Sequence, residues 1–148
     1  MPKSRQRKII NYNANDLFNI VLDIESYPEF IPWCSNAEII SKKKNNLVAD
    51  LIIRYKYFNE TFRSYVYFHK KDLIINVKYT EGPLKFLKTN WNFKKISKDK
   101  TEIIFDIDIK FKFSFFNNLL KSFFNMIESK MIKAFEKRAK DILSKKIN

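Results

Sequence analysis

The chain has 148 residues, with 29 Lys and Arg against 16 Asp and Glu, which gives a formal net charge of +13. Because 45% of the residues are hydrophobic and 16% are aromatic, the chain is too apolar for a disordered basic tail, and its length suits a single domain over residues 1–148. One Gly, one Cys and one His exclude a glycine-rich phosphate loop, an internal disulfide and a four-ligand zinc site.

The first third of the chain predicts an edge strand followed by short helices. Residues Lys3–Tyr12 alternate loosely, as an edge strand does. Asn13 is the expected N-cap of an amphipathic helix that runs to about Ile24. Pro28 and Pro32 interrupt the helical pattern, so Ser26–Trp33 is predicted to form a turn or one short helix.

Between Asn36 and Phe113 the apolar residues recur with a period of two, which predicts strands with one buried face. The clearest strand is Thr101–Phe113, where only Ile104 breaks the alternation. Three further strands are predicted from the same pattern, and these are Leu47–Tyr57, Phe62–Phe68 and Leu73–Tyr79. Turn residues separate them at Lys44–Asn46, Phe58–Asn59, Lys70–Asp72, Glu81–Pro83 and Ser97–Lys100.

After Phe113 the spacing becomes helical, and no Gly or Pro follows Pro83 to interrupt it. A helix from about Asn117 to Ser144, with Ser114 as its cap, would be roughly 42 Å long at 1.5 Å per residue. The predicted fold class is therefore α+β with a helix-grip arrangement: a curved antiparallel sheet of about six to seven strands wrapped on a long C-terminal helix. Short helices follow the first strand, and an apolar cleft is expected between the sheet and the long helix.

The single Cys and the single His do not indicate a catalytic site. Cys34 is expected to be a small buried hydrophobic residue, and His69 a solvated residue at a strand end. Glu25 and Glu81 have no visible acid or base partner, while Asp106 and Asp108 are expected on the wet face of their strand. We therefore expect a protein that is not an enzyme, although a cyclase-type activity is an alternative.

Three strings in the sequence resemble those of the coenzyme Q-binding START-like family of the polyketide cyclase/START superfamily. The first is Asp23–Cys34, DIESYPEFIPWC. The second is Glu81–Leu87 followed by Trp91–Phe93, with Leu84 where the family usually has Phe, and the third is Met131–Ala139. Their order and spacing match over nearly the whole chain. The first string is specific, whereas the other two would be weak alone.

The resemblance implies a START/Bet v 1-like domain that binds ubiquinone or a similar isoprenoid lipid as a ligand, without a catalytic cofactor. Such a protein would act as a quinone chaperone that supports respiration. The family also includes a bacterial ribosome-association toxin, so binding to the large ribosomal subunit and blockage of subunit joining is the alternative. The expected ligand-binding residues, each also explicable as ordinary core, are Tyr27, Phe30, Trp33, Tyr55, Phe62, Tyr79, Leu84, Trp91, Phe105, Ile107, Phe123, Ile127 and Phe135.

The positive charge does not separate these functions, because an anionic membrane surface and ribosomal RNA both attract Lys and Arg. With 24 Lys, 20 Ile and 15 Asn but only 5 Arg, the composition also resembles that of an AT-rich coding sequence. The basic clusters lack interleaved aromatic residues, and we expect no DNA partner. No apolar run reaches the roughly 20 residues of a membrane span. Without a signal sequence, a cytoplasmic protein is expected, with peripheral contact at the inner face of the plasma membrane.

Overall fold

A computed structural model describes residues 3–79, 84–111 and 117–144 of the chain. The strands are β1 (Lys3–Ile10), β2 (Cys34–Lys42), β3 (Asn46–Tyr55), β4 (Phe58–His69), β5 (Ile74–Tyr79), β6 (Leu84–Ser97) and β7 (Lys100–Phe111). The helices are α1 (Ala14–Leu22), a 3-10 helix (Ile24–Glu29) and α2 (Asn117–Leu143). This order of elements confirms the predicted helix-grip arrangement.

All seven strands form one antiparallel sheet in the order β1-β7-β6-β5-β4-β3-β2. One face of the sheet is apolar because the strands alternate in the predicted way, so that Phe62, Val66 and Phe68 of β4 are all buried. Residues Ile103, Phe105, Ile107 and Ile109 of β7 lie on the same inner face. β1 joins the far edge by pairing with β7, as expected for an edge strand.

The helix α1 begins where the sequence predicts. The Oδ1 atom of Asn13 accepts hydrogen bonds from the backbone N–H groups of Asn15 and Asp16, at 2.9 and 3.3 Å. These bonds satisfy amides that have no partner within the helix. The 3-10 helix follows directly and contains Pro28 but ends before Pro32, so only the first part of the predicted Ser26–Trp33 segment forms a short helix.

The long helix α2 has 27 residues and packs on the inner face of the sheet. Its buried side chains repeat at helical spacing and include Phe123, Ile127 and Phe135. Two contacts tie α2 to the edge strand β1: Lys8 donates to a carboxylate oxygen of Glu136 at 2.7 Å, and Gln6 donates to the backbone carbonyl of Glu128. The core thus lies between the sheet, α1 and α2.

Two details differ from the sequence pattern. Tyr57, expected on the buried face of its strand, is 85% exposed because the chain turns at Lys56 and Tyr57, two positions before the predicted turn at Phe58–Asn59. Lys56 adopts a φ of 56°, which makes this tight turn between the paired residues Tyr55 and Phe58. The predicted turn at Glu81–Pro83 and the predicted cap Ser114 lie outside the described residues.

Ile104 is buried although it points away from α2, so the break in the alternation is a buried residue on the outer face of the sheet. Neither helix in the described ranges is both long enough and apolar enough to cross a bilayer. This agrees with the absence of a long apolar run in the sequence.

Candidate functional site

A small interior cavity of about 60 Å³ lies between the sheet and α2. Its walls come from the segment around the 3-10 helix, from strands β3 to β7 on the inner face of the sheet, from Cys34 at the start of β2, and from α2. The lining residues are Tyr27, Ile31, Trp33, Cys34, Leu51, Ile53, Phe62, Tyr79, Leu87, Thr89, Ile107, Phe123, Ile127 and Met131.

Strand register and helix spacing bring these residues together. Leu51 and Ile53 are two apart on β3 and therefore share a face, and Leu51 stands directly opposite Phe62 on β4. On α2 the lining residues Phe123, Ile127 and Met131 recur every four positions, so they form one stripe along the helix. The cavity is thus the place where the apolar stripe of α2 faces the apolar face of the sheet.

Two partly buried tyrosines supply most of the polarity of the cavity wall. The Tyr27 hydroxyl donates to the backbone carbonyl of Val21, and desolvation by burial raises the pKa of Tyr27 well above its usual value. Burial also raises the pKa of Tyr79 to about 12. Ser64, only 1% exposed, stands opposite Tyr79 across the β4–β5 pair. Both phenols therefore remain protonated at neutral pH.

Cys34 also lines the cavity, but its thiol is not activated. Burial raises the pKa of Cys34 to about 11, and the Sγ–H donates to the backbone carbonyl of Asn36 at 3.4 Å. A thiol with a pKa this high is almost entirely protonated at neutral pH and is a poor nucleophile. This agrees with the prediction of a small buried residue.

An aromatic cluster packs beside the cavity and anchors α2. The ring of Phe135 lies edge-on to Tyr27, Phe30 and Trp91, with centroid distances of 5.4, 5.2 and 5.1 Å. Trp91 in turn packs on Phe105 at 4.4 Å. These rings pack against one another, and of the five only Tyr27 also lines the cavity.

A second set of contacts holds the other end of α2 to the β3–β4 turn. The ring of Tyr55 lies 5.4 Å from that of Phe123, and the Tyr55 and Ser122 hydroxyls are hydrogen-bonded. The ammonium of Lys56 donates to Ser122 Oγ at 3.1 Å and lies over the Tyr55 ring. These contacts close the cavity on the side of the β3–β4 turn.

Seven of the thirteen residues predicted from the sequence line the cavity, namely Tyr27, Trp33, Phe62, Tyr79, Ile107, Phe123 and Ile127. Phe30, Trp91, Phe105 and Phe135 belong to the aromatic cluster, and Tyr55 packs on Phe123. The side chain of Leu84 lies outside the described part of the chain.

The sequence reasoning missed seven lining residues: Ile31, Cys34, Leu51, Ile53, Leu87, Thr89 and Met131. The strand alternation was a sufficient signal for Leu51 and Ile53, which share a face with Tyr55. Similarly, Met131 lies four residues after Ile127 on α2. The selection favoured aromatic residues, whereas nine of the fourteen lining residues are not aromatic.

The acidic residues considered for catalysis have other roles or other places. Glu25 accepts a hydrogen bond from the backbone N–H of Ile39 at 3.0 Å, which ties the 3-10 helix to β2. Asp106 and Asp108 lie on the outer face of the sheet in ion pairs with Arg5 and Lys3. Glu81 lies outside the described residues. Among the residues that the structure describes, no carboxylate lines the cavity and no three metal-ligating side chains form a cluster.

The chain resembles proteins of two named functions. It is 37% identical over 139 residues to the ribosome association toxin RatA of Rickettsia prowazekii, covering 92% of this chain and 94% of that one. It is 30% identical over 140 residues to the mitochondrial coenzyme Q-binding protein COQ10 of Dictyostelium discoideum, covering 91% of this chain and 67% of that protein.

The fold is also found in an enzyme. The crystal structure of the Zhui aromatase/cyclase from a Streptomyces species superposes with a TM-score of 0.86 over 94% of this chain and 93% of that one, at 12% identity. Residues 10–136 match the family described as polyketide cyclase / dehydrase and lipid transport. The chain, with its seven-stranded sheet wrapped on a long C-terminal helix, is therefore a member of the polyketide cyclase / dehydrase and lipid transport family.

Proposed function

We propose that the chain binds an isoprenoid quinone such as ubiquinone between the sheet and α2, and carries it as a chaperone without transforming it. The observation that supports this most directly is the interior cavity, which is walled by aliphatic and aromatic side chains and carries two protonated phenols. The relative named as a coenzyme Q-binding protein supports the same ligand class.

The cavity must widen to hold such a ligand. At about 60 Å³ it is smaller than the roughly 150 Å³ apolar cavity that accepts benzene, and far below the roughly 300–1,000 Å³ of ordinary ligand pockets. We expect the stripe Phe123, Ile127 and Met131 to move, because among the described residues no backbone–backbone hydrogen bond joins α2 to the sheet, whereas the strands are held by their ladders.

Apolar burial alone cannot give selectivity for a quinone. Each CH₂ moved from water into the cleft contributes about 0.8 kcal/mol, but a lipid bilayer offers the same gain. The preference for the protein must therefore come from shape and from donors to the quinone carbonyl oxygens. Tyr79 is the best candidate, since its raised pKa keeps the hydroxyl protonated, and Tyr27 would have to release Val21 to donate.

This proposal leaves catalysis out. General acid-base chemistry in the cleft would need a carboxylate or imidazole, and the part of the cavity wall that the structure describes carries neither. The thiol of Cys34 is held protonated by burial. A chaperone would instead exchange its ligand at a membrane surface, and the net charge of +13 favours an anionic one.

Lipid extraction tests the proposal. The protein purified from a quinone-producing host is expected to yield close to one quinone per chain. Tyr79→Phe keeps the ring and removes the hydroxyl, so it should weaken loading about fivefold, the effect of one hydrogen bond of about 1 kcal/mol. Leu51→Phe should reduce loading by filling the cavity, while Lys43→Ala at an exposed turn should not.

The quinone proposal is rejected if no stoichiometric lipid is extracted and a short-chain quinone added to the purified protein also fails to bind. Equal loading of Tyr79→Phe and the unchanged protein would remove the assigned role of the hydroxyl. Equal losses in Leu51→Phe and Lys43→Ala would show that the ligand does not occupy this cavity.

We propose association with the large ribosomal subunit as the second candidate function. The observation in its favour is the 37% identity with a protein named as a ribosome association toxin, over nearly the full length of both chains. Sedimentation with ribosomal subunits at 50 and 300 mM salt tests it. Co-migration at low salt that weakens at high salt is expected, and no co-migration at low salt would refute it.

A further inference from the structure

The outer face of the sheet, opposite α2, carries a groove of about 810 Å³. Strand register places a row of polar side chains across it, because Tyr67 pairs with Asn76, Asn76 with Asn90, and Asn90 with Asp106. The row ends at Arg5, whose Nε and Nη2 atoms donate to the two oxygens of Asp106 at 2.6 and 3.0 Å. The groove is thus built from residues up to about 100 positions apart in sequence.

A second row of side chains, two residues further along each strand, carries the positive charges of the groove that form no ion pair with a described residue. Lys78 stands opposite Lys88, and Lys88 stands opposite Asp108. Both lysines are exposed, and neither forms an ion pair with a described residue, whereas Lys3 lies 3.9 Å from a carboxylate oxygen of Asp108. Two neighbouring ammonium groups without carboxylate partners fit a ligand that carries repeated negative charges.

Two aromatic side chains lie beside these charges, Tyr67 in the groove and Phe86 next to Lys88. Tyr67 is 46% exposed in the groove, which leaves a large part of its ring accessible for stacking. Phe86 lies two residues before Lys88 on the same face of β6, and the Lys88 ammonium sits 5.3 Å from the centre of its ring. An exposed aromatic ring near cations is a feature of surfaces that bind single-stranded nucleic acids.

One acceptor atom in the groove is unsatisfied. The Oδ1 atom of Asp108 is buried from solvent and accepts no hydrogen bond from any described residue. Such an atom is costly unless a donor reaches it. The Asp108 side chain is 28% exposed through its other atoms, so its carboxylate can accept a hydrogen bond from a ribose 2′-hydroxyl, which deoxyribose lacks, and this favours RNA over DNA.

We infer that the groove binds single-stranded RNA: phosphates lie against Lys78 and Lys88, one base stacks on Tyr67, and a 2′-hydroxyl donates to Asp108. The amides of Asn76 and Asn90 stand between the stacking ring and the ion pair, where they can contact base edges. This inference deepens the second proposed function and rests on it only for the cellular source of the RNA.

Fluorescence anisotropy with a labelled 12-nucleotide single-stranded RNA of mixed sequence tests the groove directly. Tyr67→Ala should weaken binding roughly 5- to 150-fold, the range expected for one stacked base. Tyr67→Leu keeps an apolar side chain but no stacking ring, so it should weaken binding comparably. If Tyr67→Ala and Tyr67→Leu both bind the RNA as tightly as the unchanged protein does, the assignment of Tyr67 as the stacking ring is wrong.

The lysine pair is tested by the salt dependence. Each phosphate contact to a single strand contributes about −0.7 to the slope of log K against log salt concentration. The double variant Lys78→Ala/Lys88→Ala should therefore make the slope shallower by about 1.4. Lys43→Ala/Lys44→Ala removes the same charge from the exposed turn between β2 and β3 and should leave the slope unchanged. Equal changes in the two double variants would mean that binding is not localised in the groove.

The choice of RNA is tested with DNA of the same sequence and with duplex RNA as competitors. The single-stranded RNA should bind more tightly than the DNA, and Asp108→Ala should narrow that difference. Equal affinity for RNA and DNA, or better competition by duplex RNA, would overturn the inference. If the chain co-sediments with ribosomal subunits while free RNA does not bind, the groove assignment is wrong and ribosome association stands. If the chain binds free RNA but does not co-sediment with ribosomal subunits, the groove assignment stands and ribosome association is wrong.

Discussion

Replacement of Phe135 by Ala is expected to be among the most destabilising single changes in the described chain. Phe135 is 3% exposed and is the ring that joins α2 to the 3-10 helix and to β6. Removal of a buried Phe side chain costs about 3–5 kcal/mol. Because three edge-on aromatic contacts are lost together, and each adds about 0.5–1.5 kcal/mol beyond its buried area, we expect a loss near the upper end, about 5 kcal/mol.

Thermal and urea unfolding followed by circular dichroism measure this loss. For a chain of this size 1 kcal/mol shifts the melting temperature by about 2–4 °C, so Phe135→Ala should melt about 10–20 °C lower. A chain of 148 residues is expected to have a free energy of unfolding of about 7–22 kcal/mol, so the variant should still fold at 25 °C. Phe135→Leu keeps most of the volume and should recover more than half of the loss.

The matched control is Tyr57→Ala, which also removes an aromatic ring but at a position that is 85% exposed. Its free energy of unfolding should stay within about 0.5 kcal/mol of that of the unchanged protein. If Phe135→Ala lost less than about 2 kcal/mol, or no more than Tyr57→Ala, the aromatic cluster would not be the anchor of α2. Because Phe135 does not line the cavity, quinone loading per folded chain should fall less than in Leu51→Phe.

Three further outcomes are expected. The side chain of Arg63 donates hydrogen bonds to Asp50 at 2.8 and 2.9 Å and lowers the pKa of Asp50. This pair therefore stabilises the fold above the ordinary Asp pKa, and its contribution is lost as the pH falls through the lowered pKa. Between pH 5 and pH 2, Asp50→Asn should lose less stability than the unchanged protein, as measured by urea midpoints. Arg138→Ala removes an ion pair at 2.8 Å and a cation–π contact at 5.0 Å and should cost about 1 kcal/mol in urea unfolding, while exposed Lys137→Ala should cost less than about 0.5. The Cys34 thiol, with its pKa raised to about 11, should react with a thiol reagent at pH 7.5 much more slowly in the native protein than in urea, and equal rates would contradict its burial.

The amino-acid sequence was sufficient to predict most of the architecture. Period-two alternation in Phe62–Phe68 and in Thr101–Phe111 identified strands and their buried faces, because side chains on a strand alternate between the two sides of the sheet. Asn13 marked the start of α1, since its short polar side chain can bond to free backbone amides. The family resemblance was carried by a local string, which sequence alone can reveal.

The site was predicted only in part because sequence patterns show which face a residue occupies, not which residues stand opposite it. Thirteen residues were selected largely for aromatic character, yet Phe135 and Trp91 pack on each other while aliphatic Leu51 and Ile53 line the cavity. The free volume is set by how closely α2 approaches the sheet. That distance depends on all the side chains in contact and not on any local string.

The outer groove shows most clearly which features follow from the sequence and which depend on the tertiary structure. The sequence provided the +13 charge but no cluster in which aromatic residues alternate with lysines. Tyr67, Lys78 and Lys88 become neighbours only when β4, β5 and β6 pair in register. Composition and periodicity thus determined the fold class and the excess of positive charge. Only the tertiary structure decided which charges and rings share a surface, because hydrogen-bonded pairing joins residues that are distant along the chain.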